Sequence, residues 1–253
     1  MSLLTLLALF VAAFAAGTVD AIAGGGGLIT LPALLAAGLP PHTALATNKG
    51  ASIWGSGASL FGYARAGQVN TERARFTFPA GMLGAMIGSR LVLWLAPALL
   101  RPLVIVLLFL ASAVLFVRKR DELGAGEKNA SLWRWISLAL LIGAYDGFFG
   151  PGTGTFLIVG IVLFCGQSLA RATADAKVVN FASNLAAMLM FFHYGQIEWR
   201  VAALMGVGQL FGGLLGVRLA LKGGAKLIRR LVVAVSGTLV LKLSWDLLRQ
   251  GLV

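Results

Sequence analysis

The sequence is poor in charge and in residues that bind metals or form crosslinks. Only 12% of its 253 residues are charged, against about 25% in an ordinary soluble domain. Cys165 is the single cysteine, which excludes an internal disulfide and a Cys-based metal site. The two histidines, His42 and His193, lie far apart, and neither has a ligand neighbour at metal spacing. No metal and no other cofactor is expected. Catalytic signatures are missing as well, with no Ser/His/Asp grouping and no candidate Cys nucleophile. Gly150-Pro151-Gly152-Thr153-Gly154 looks only superficially like a phosphate loop, because no Gly-Lys-Ser/Thr follows and no βαβ context surrounds it. The chain is not expected to be an enzyme.

What abounds is apolar. Hydrophobic residues make up 58% of the chain and the mean hydropathy is +0.89. Runs of Leu, Ala, Val and Ile recur from end to end at about the length needed to cross ~30 Å of hydrocarbon. The fold class that follows is an all-α polytopic membrane protein, with the lipid bilayer as its surroundings. The formal charge of +12 would suggest nucleic acid in a soluble protein. Here it is read as topology, because Lys and Arg gather in cytoplasmic loops, and no nucleic-acid partner is expected. Met1 to Ala16 has the look of a signal peptide, but no Lys or Arg precedes its apolar run. A corresponding segment, Ile136 to Gly143, occurs mid-chain, so the first run is expected to belong to the fold.

Apolar segments fall at about 3–19, 28–39, 43–64, 76–96 and 100–117, then at 133–149, 154–165, 172–194, 200–221 and 229–249. This divides the chain into a first transmembrane repeat (1–117), a linker (118–132) and a second repeat (133–253). The halves are copies. Gly67-Gln68 recurs as Gly195-Gln196, Gly84, Gly88 and Arg90 recur as Gly212, Gly216 and Arg218, and Lys49 recurs as Lys177, all 128 positions apart. Asp20 and Asp146 are 126 apart. Such self-similarity is a usual mark of transporters.

Charge orients the repeats. Thirteen basic residues, among them Arg65, Arg73, Arg75, Arg118–Arg120, Lys222 and Arg229–Arg230, share one side if every segment crosses. The other side receives only Arg101, Arg200 and Arg249. Both termini are then outside, the linker is cytoplasmic, and the second copy is an upside-down version of the first. The parity survives if 28–39 and 154–165 are re-entrant rather than spanning.

The centre of each repeat is an acid followed by a helix-breaking cluster. The first copy is Asp20 with Gly24-Gly25-Gly26-Gly27, the second Asp146 with Gly150-Pro151-Gly152-Thr153-Gly154. Each precedes a segment too short to cross. Broken backbone at membrane depth is tolerated only in protein or against a wet cavity, and the N–H groups that open a helix attract anions. Each break therefore offers an anion-binding helix start, with Thr153 and Thr155 adding hydroxyls. Against this stands close helix packing by small residues, which fits Gly81 to Gly88 and Gly212 to Gly216 better. Lys49 and Lys177 are intramembrane bases, each with Asn nearby (Asn48; Asn180 and Asn184), and Thr47 and Ser52 beside the first. They either line the site or snorkel to the headgroups. Asp20 and Asp146 suit proton coupling, capping of the short helix, or pairing with a base. Arg90 and Arg218 are candidate partners for those acids. Six tryptophans, Trp54, Trp94, Trp133, Trp135, Trp199 and Trp245, mostly sit near segment ends, as in an interfacial belt.

Asp20-Ala-Ile-Ala-Gly-Gly-Gly-Gly-Leu-Ile-Thr-Leu-Pro32, Ala46-Thr47-Asn48-Lys49, Gly143 to Phe156, and Ala172-Thr-Ala-Asp-Ala-Lys177-Val-Val-Asn180-Phe together resemble the sulfite exporter TauE/SafE family of prokaryotic membrane permeases. The resemblance covers nearly the whole chain. It implies a transporter that moves small anions, such as sulfite, a sulfonate or a related carboxylate, across the inner membrane. Read onto this chain, the substrate site comprises Gly25, Gly26, Gly27, Asn48, Lys49, Gly152, Thr153, Lys177 and Asn180. A passive anion channel and a non-transporting membrane scaffold are the alternatives.

Overall fold

In the computed structural model, residues 1–96 and 130–223 are described. They form eight helices and, among the described residues, no strand: α1 Leu3–Ala23, α2 Gly27–Ala36, α3 Pro41–Arg65, α4 Thr71–Trp94, α5 Leu132–Phe148, α6 Thr153–Cys165, α7 Leu169–His193 and α8 Trp199–Gly223. The segments expected at 100–117 and 229–249, the linker up to 129, Lys242 and Trp245 lie outside the described residues. The protein is an all-α membrane protein. Helices α1, α4 and α8 are each long and apolar enough to cross a bilayer. Their outer faces expose large apolar side chains, such as Leu4 and Leu7 on α1, Leu83 and Ile87 on α4, and Phe211 and Leu215 on α8.

Local chemistry sets the helix ends. The Ser2 hydroxyl accepts from the Thr5 N–H (3.2 Å) to start α1. Asn70 does the same for α4, accepting from the Arg73 N–H at 2.9 Å. Both α3 and α7 close with a glycine in the left-handed region, Gly67 (φ +67°) and Gly195 (φ +64°). There the N–H groups of Gln68 and Gln196 donate back to Tyr63 and Phe191, each at 3.0 Å. The paired glutamines of the sequence thus mark two identical helix stops. Helix α1 runs past position 19, through Asp20, to Ala23, because the chain first needs a positive φ at Gly24.

The two halves interlock rather than sit side by side. Helix α4 of the first half packs along α5, the opening helix of the second, and α3 packs on α7. Helix α8 lies in turn along α1. The glycine faces allow both approaches. A Cβ on Gly84 or Gly88 would lie 2.1 Å from the Leu140 carbonyl or 1.9 Å from that of Ala144. On Gly212 or Gly216 it would meet the Phe14 carbonyl at 2.1 Å or that of Thr18 at 2.5 Å. The facing residues are 126 apart and the glycines 128 apart, so both offsets of the sequence repeat recur in the contacts. Without a hydrophobic drive between helices in lipid, this backbone proximity is what dispersion and packing require.

Helices α3 and α7 are each 25 residues long, yet they carry polar and charged residues that a lipid-facing helix could not. They are the inner pair, with Asn48, Lys49, Asn180, Ser183 and Asn184 all buried. Each short helix has its own apolar packing. Leu28, Leu31 and Leu34 of α2 join Leu9, Leu39, Ile197 and Val201. Leu157, Ile158 and Ile161 of α6 join Trp135, Leu169 and Val217.

The tryptophan belt holds only in part. Trp94, Trp133 and Trp199 are exposed near helix ends. Trp54 is exposed in the middle of α3, and Trp135 is buried with the Arg73 guanidinium 4.7 Å over its ring. Trp135 serves the interior because it gives that cation an aromatic face.

Candidate functional site

The site begins where α1 and α5 break. Asp20 and Asp146 each sit in the last turn of their helix. After Asp20, Gly24 (φ +74°) and Gly25 (φ +94°) turn the chain into α2. After Asp146, Gly150 (φ +94°) and Gly152 (φ +86°) turn it into α6. The second copy cannot place a positive φ at Pro151, so the turn shifts by one residue and the two breaks are not identical. They touch one another. A Cβ on Gly24 would lie 2.1 Å from the Thr155 nitrogen, and the Thr155 hydroxyl donates to the Ala23 carbonyl at 2.9 Å.

Each acid is paired with the lysine of the other half. Lys49 Nζ donates to Asp146 Oδ1 at 2.6 Å, and Lys177 Nζ to Asp20 Oδ2 at 3.1 Å, with a further bond to the Asp20 main-chain oxygen. Asp146 also accepts from the hydroxyls of Thr153 (2.8 Å) and Ser183. Asp20 Oδ1 accepts from the Gly26 N–H at 3.3 Å, capping α2. Both acids are thus paired with a base, and Asp20 alone also accepts from a backbone N–H at the start of a short helix. Lys49 and Lys177 do not snorkel, being 2% and 0% exposed. Arg90 and Arg218 do not pair with the acids. Both are exposed, and Arg90 lies over the Trp94 and Tyr194 rings at 5.5 and 5.1 Å. The shorter lysines reach inward from the inner helices, whereas the arginines face outward on α4 and α8.

Between the breaks is a polar cavity of ≈ 20 Å³, room for about one water. Its walls include Asp20, Gly25, Gly26, Gly27, Asn48, Lys49, Asp146, Gly152, Thr153 and Asn180. Of the residues assigned to the site from sequence, only Lys177 is not in the wall, lying behind Asp20. Asn48 accepts from the Thr30 hydroxyl at 2.5 Å and Asn184 donates to the Asn180 carbonyl at 2.7 Å. Ser52, Gly150, Gly154, Asn184 and Gln209 complete the lining, with Gln209 donating to the Ser52 hydroxyl at 3.3 Å. Gln209 escaped the sequence reading. An amide inside an otherwise apolar helix was the available signal. Ser183, one turn beyond Asn180, was missed as well. Among the described residues no three His, Cys, Asp or Glu side chains gather as a metal site would need.

A second pair of links ties the halves away from the cavity. The Asn70 N–H donates to Asp175 Oδ1, and the Glu198 N–H to the Thr47 hydroxyl, each at 3.0 Å. Both partners are related by the 128-residue offset, but their surroundings differ. Arg73 lies 3.6 Å from Asp175, stacks on Trp135, and donates to the Gln167 amide oxygen at 2.6 Å when that amide is turned to face it. The residues that match Arg73 and Trp135 in the other copy are Val201 and Leu9, members of an apolar cluster with Leu39 and Ile197.

Apolar helices long enough to span a bilayer surround a small buried polar cavity walled by both halves of the chain, the architecture of a membrane protein with an internal polar site. Residues 9–243 match the sulfite exporter TauE/SafE family, and the chain belongs to it. A "Probable membrane transporter protein ORF9" of Sinorhizobium sp is 41% identical over 241 residues, covering 94% of this chain and 92% of the relative. The "Probable membrane transporter protein YfcA" of Escherichia coli (strain K12) is 38% identical over 97% of this chain and 92% of its own. A "Probable membrane transporter protein" of Haemophilus influenzae is 36% identical, covering 94% of each. No solved structure matches the chain.

Proposed function

We propose that the protein is a secondary transporter that carries a small anion, such as sulfite, a sulfonate or a related carboxylate, across the inner membrane by alternating access. The observation that supports this most is the pair of buried lysines, one from each half, where the two breaks meet: Lys49 in the cavity wall and Lys177 directly behind Asp20. Lys49 and Lys177 supply the positive charge, Asn48 and Asn180 orient the anion, and the helix starts at Gly25–Gly27 and Gly152–Thr153 contribute their N–H groups. A cavity of ≈ 20 Å³ is too small for any of these anions, so the arrangement corresponds to a closed state that opens by parting the breaks. The two repeats, 1–117 and 133–253, are inverted copies joined by a cytoplasmic linker at 118–132, with both termini outside, and one repeat rocks against the other.

The test is thermal stability of the purified protein against sulfite, sulfate, sulfoacetate, acetate and phosphate. A ligand at 100 times its dissociation constant stabilises by about 2.7 kcal/mol. A selective shift in the wild type that is lost in Lys49→Ala and Lys177→Ala supports the assignment. Unchanged affinity and flux in both folded variants overturns it. Saturating flux with counterflow separates the carrier from a passive pore, which gives linear flux without it.

A further inference from the structure

The four ionisable side chains in the cavity wall and directly behind it sum to zero: Lys49 and Lys177 against Asp20 and Asp146. An anion entering this closed site adds at least one buried negative charge, and a buried charge without a counter-charge is strongly disfavoured. We propose, resting on the anion reading above, that Asp146 supplies one unit of that balance by taking up one proton when the anion replaces it on Lys49, so that anion and proton move together. In this exchange the Lys49–Asp146 ion pair gives way to a Lys49–anion pair, and a solvent proton bonds to an Asp146 carboxyl oxygen.

The two acids are not equivalent in this respect, and their donors decide between them. Once Lys49 has turned to the anion, Asp146 keeps the hydroxyls of Thr153 and Ser183. A hydroxyl both donates and accepts, so it can turn to receive the O–H of a carboxylic acid. Asp20 is held by the Gly26 N–H, which donates only and offers that O–H no acceptor. Its lysine is fastened a second time, to the Asp20 main-chain oxygen. Asp146 can therefore exchange its partner and Asp20 cannot.

The surroundings of Asp146 leave Lys49 as its one charged partner. Besides that lysine from α3, it meets Thr153 from α6 and Ser183 from α7. The neighbouring Tyr145 points its hydroxyl at the Pro151 carbonyl, 2.7 Å away. Helix α4 presses on α5 through Ala85 and Gly88, with Glu72, Arg73, Arg75 and Arg90 towards its ends. Asp20 and Gln209 complete the wall from α1 and α8, with Lys177 behind Asp20.

The experiment titrates anion affinity by thermal shift between pH 6 and 8, using the five anions named above, in wild type and Asp146→Asn. The expected result is a wild-type affinity that falls about tenfold more per pH unit than that of Asp146→Asn, one linked proton. Subtracting the two slopes removes any titration of the anion itself. Equal slopes in wild type and Asp146→Asn overturn the proposal while leaving the anion site standing. No binding of any of the five anions to the wild type overturns the site itself. If Asp146→Asn does not fold, proton uptake by the wild type in weakly buffered sulfate, sulfoacetate or acetate decides: about one proton per bound anion is expected, and none overturns the proposal.

Discussion

Lys49 and Asp146 stand 97 positions apart in the chain and 2.6 Å apart in the fold. One belongs to each half, so neither repeat can satisfy its own buried charge. Removing one partner leaves the other buried and unpaired, which costs about 3–5 kcal/mol. Lys49→Met should therefore lower the unfolding temperature of the detergent-purified protein sharply. Lys49→Met combined with Asp146→Leu should recover most of that loss, and an additive double variant would argue against direct pairing.

Gly150 of the second break lies directly against the ion pair. Its φ of +94° disfavours any side chain, and a Cβ there would lie 2.7 Å from Lys49 Nζ and 3.1 Å from Asp146 Oδ1. Gly150→Ala should force the ion pair apart. Gly38→Ala, with a similar φ of +89° but open space around it, should cost only the backbone strain of about 1–2 kcal/mol. Comparing the two unfolding temperatures separates strain from disruption of the pair, and equal losses would count against the latter.

Helix proximity gives a sharper case. Gly88 has the Ala144 carbonyl 1.9 Å from where its Cβ would be, so even Gly88→Ala should push α4 off α5. Its repeat mate, Gly216→Ala, should do the same to α8 on α1, where the approach is 2.5 Å. Size-exclusion profiles in detergent should show loss of folded protein for both, worse for Gly88→Ala.

The inverted arrangement predicts opposite sides for two short turns. Ala66 follows α3 and Glu198 precedes α8, and both are exposed. In a Cys165→Ala background, an impermeant thiol reagent applied to intact cells should label Glu198→Cys and spare Ala66→Cys. Labelling of both, or the reverse pattern, is incompatible with the proposed topology.

Much of this was legible in one dimension. Glycines cannot be replaced where a helix must stop inside a bilayer, and buried bases are too costly to keep without purpose, so Gly24–Gly27, Gly150–Gly154, Lys49 and Lys177 stand out against an apolar background. Pairing was not legible. Arg90 and Lys49 are equally plausible partners for an acid until helix order is known, and only the crossing of α3 with α7 turns the lysines inward. Gln209 was hidden for another reason: its repeat mate is Gly81, so the duplication that revealed Lys49 and Lys177 gave no help. Trp135 misled because tryptophan near a helix end suits an interface and an aromatic shelf for Arg73 alike.

The links at Asn70–Asp175 and Glu198–Thr47 occupy equivalent places in the repeat, yet one is buttressed by Arg73 and the other by aliphatic side chains. Those buttresses respond differently to salt. Arg73 is 29% exposed, so added salt screens its attraction to Asp175. Contacts among Leu9, Leu39, Ile197 and Val201 are uncharged packing, which added salt does not screen. Ionic strength therefore acts on one of two equivalent links and spares the other, so the solution can unbalance a pair that the chain builds alike.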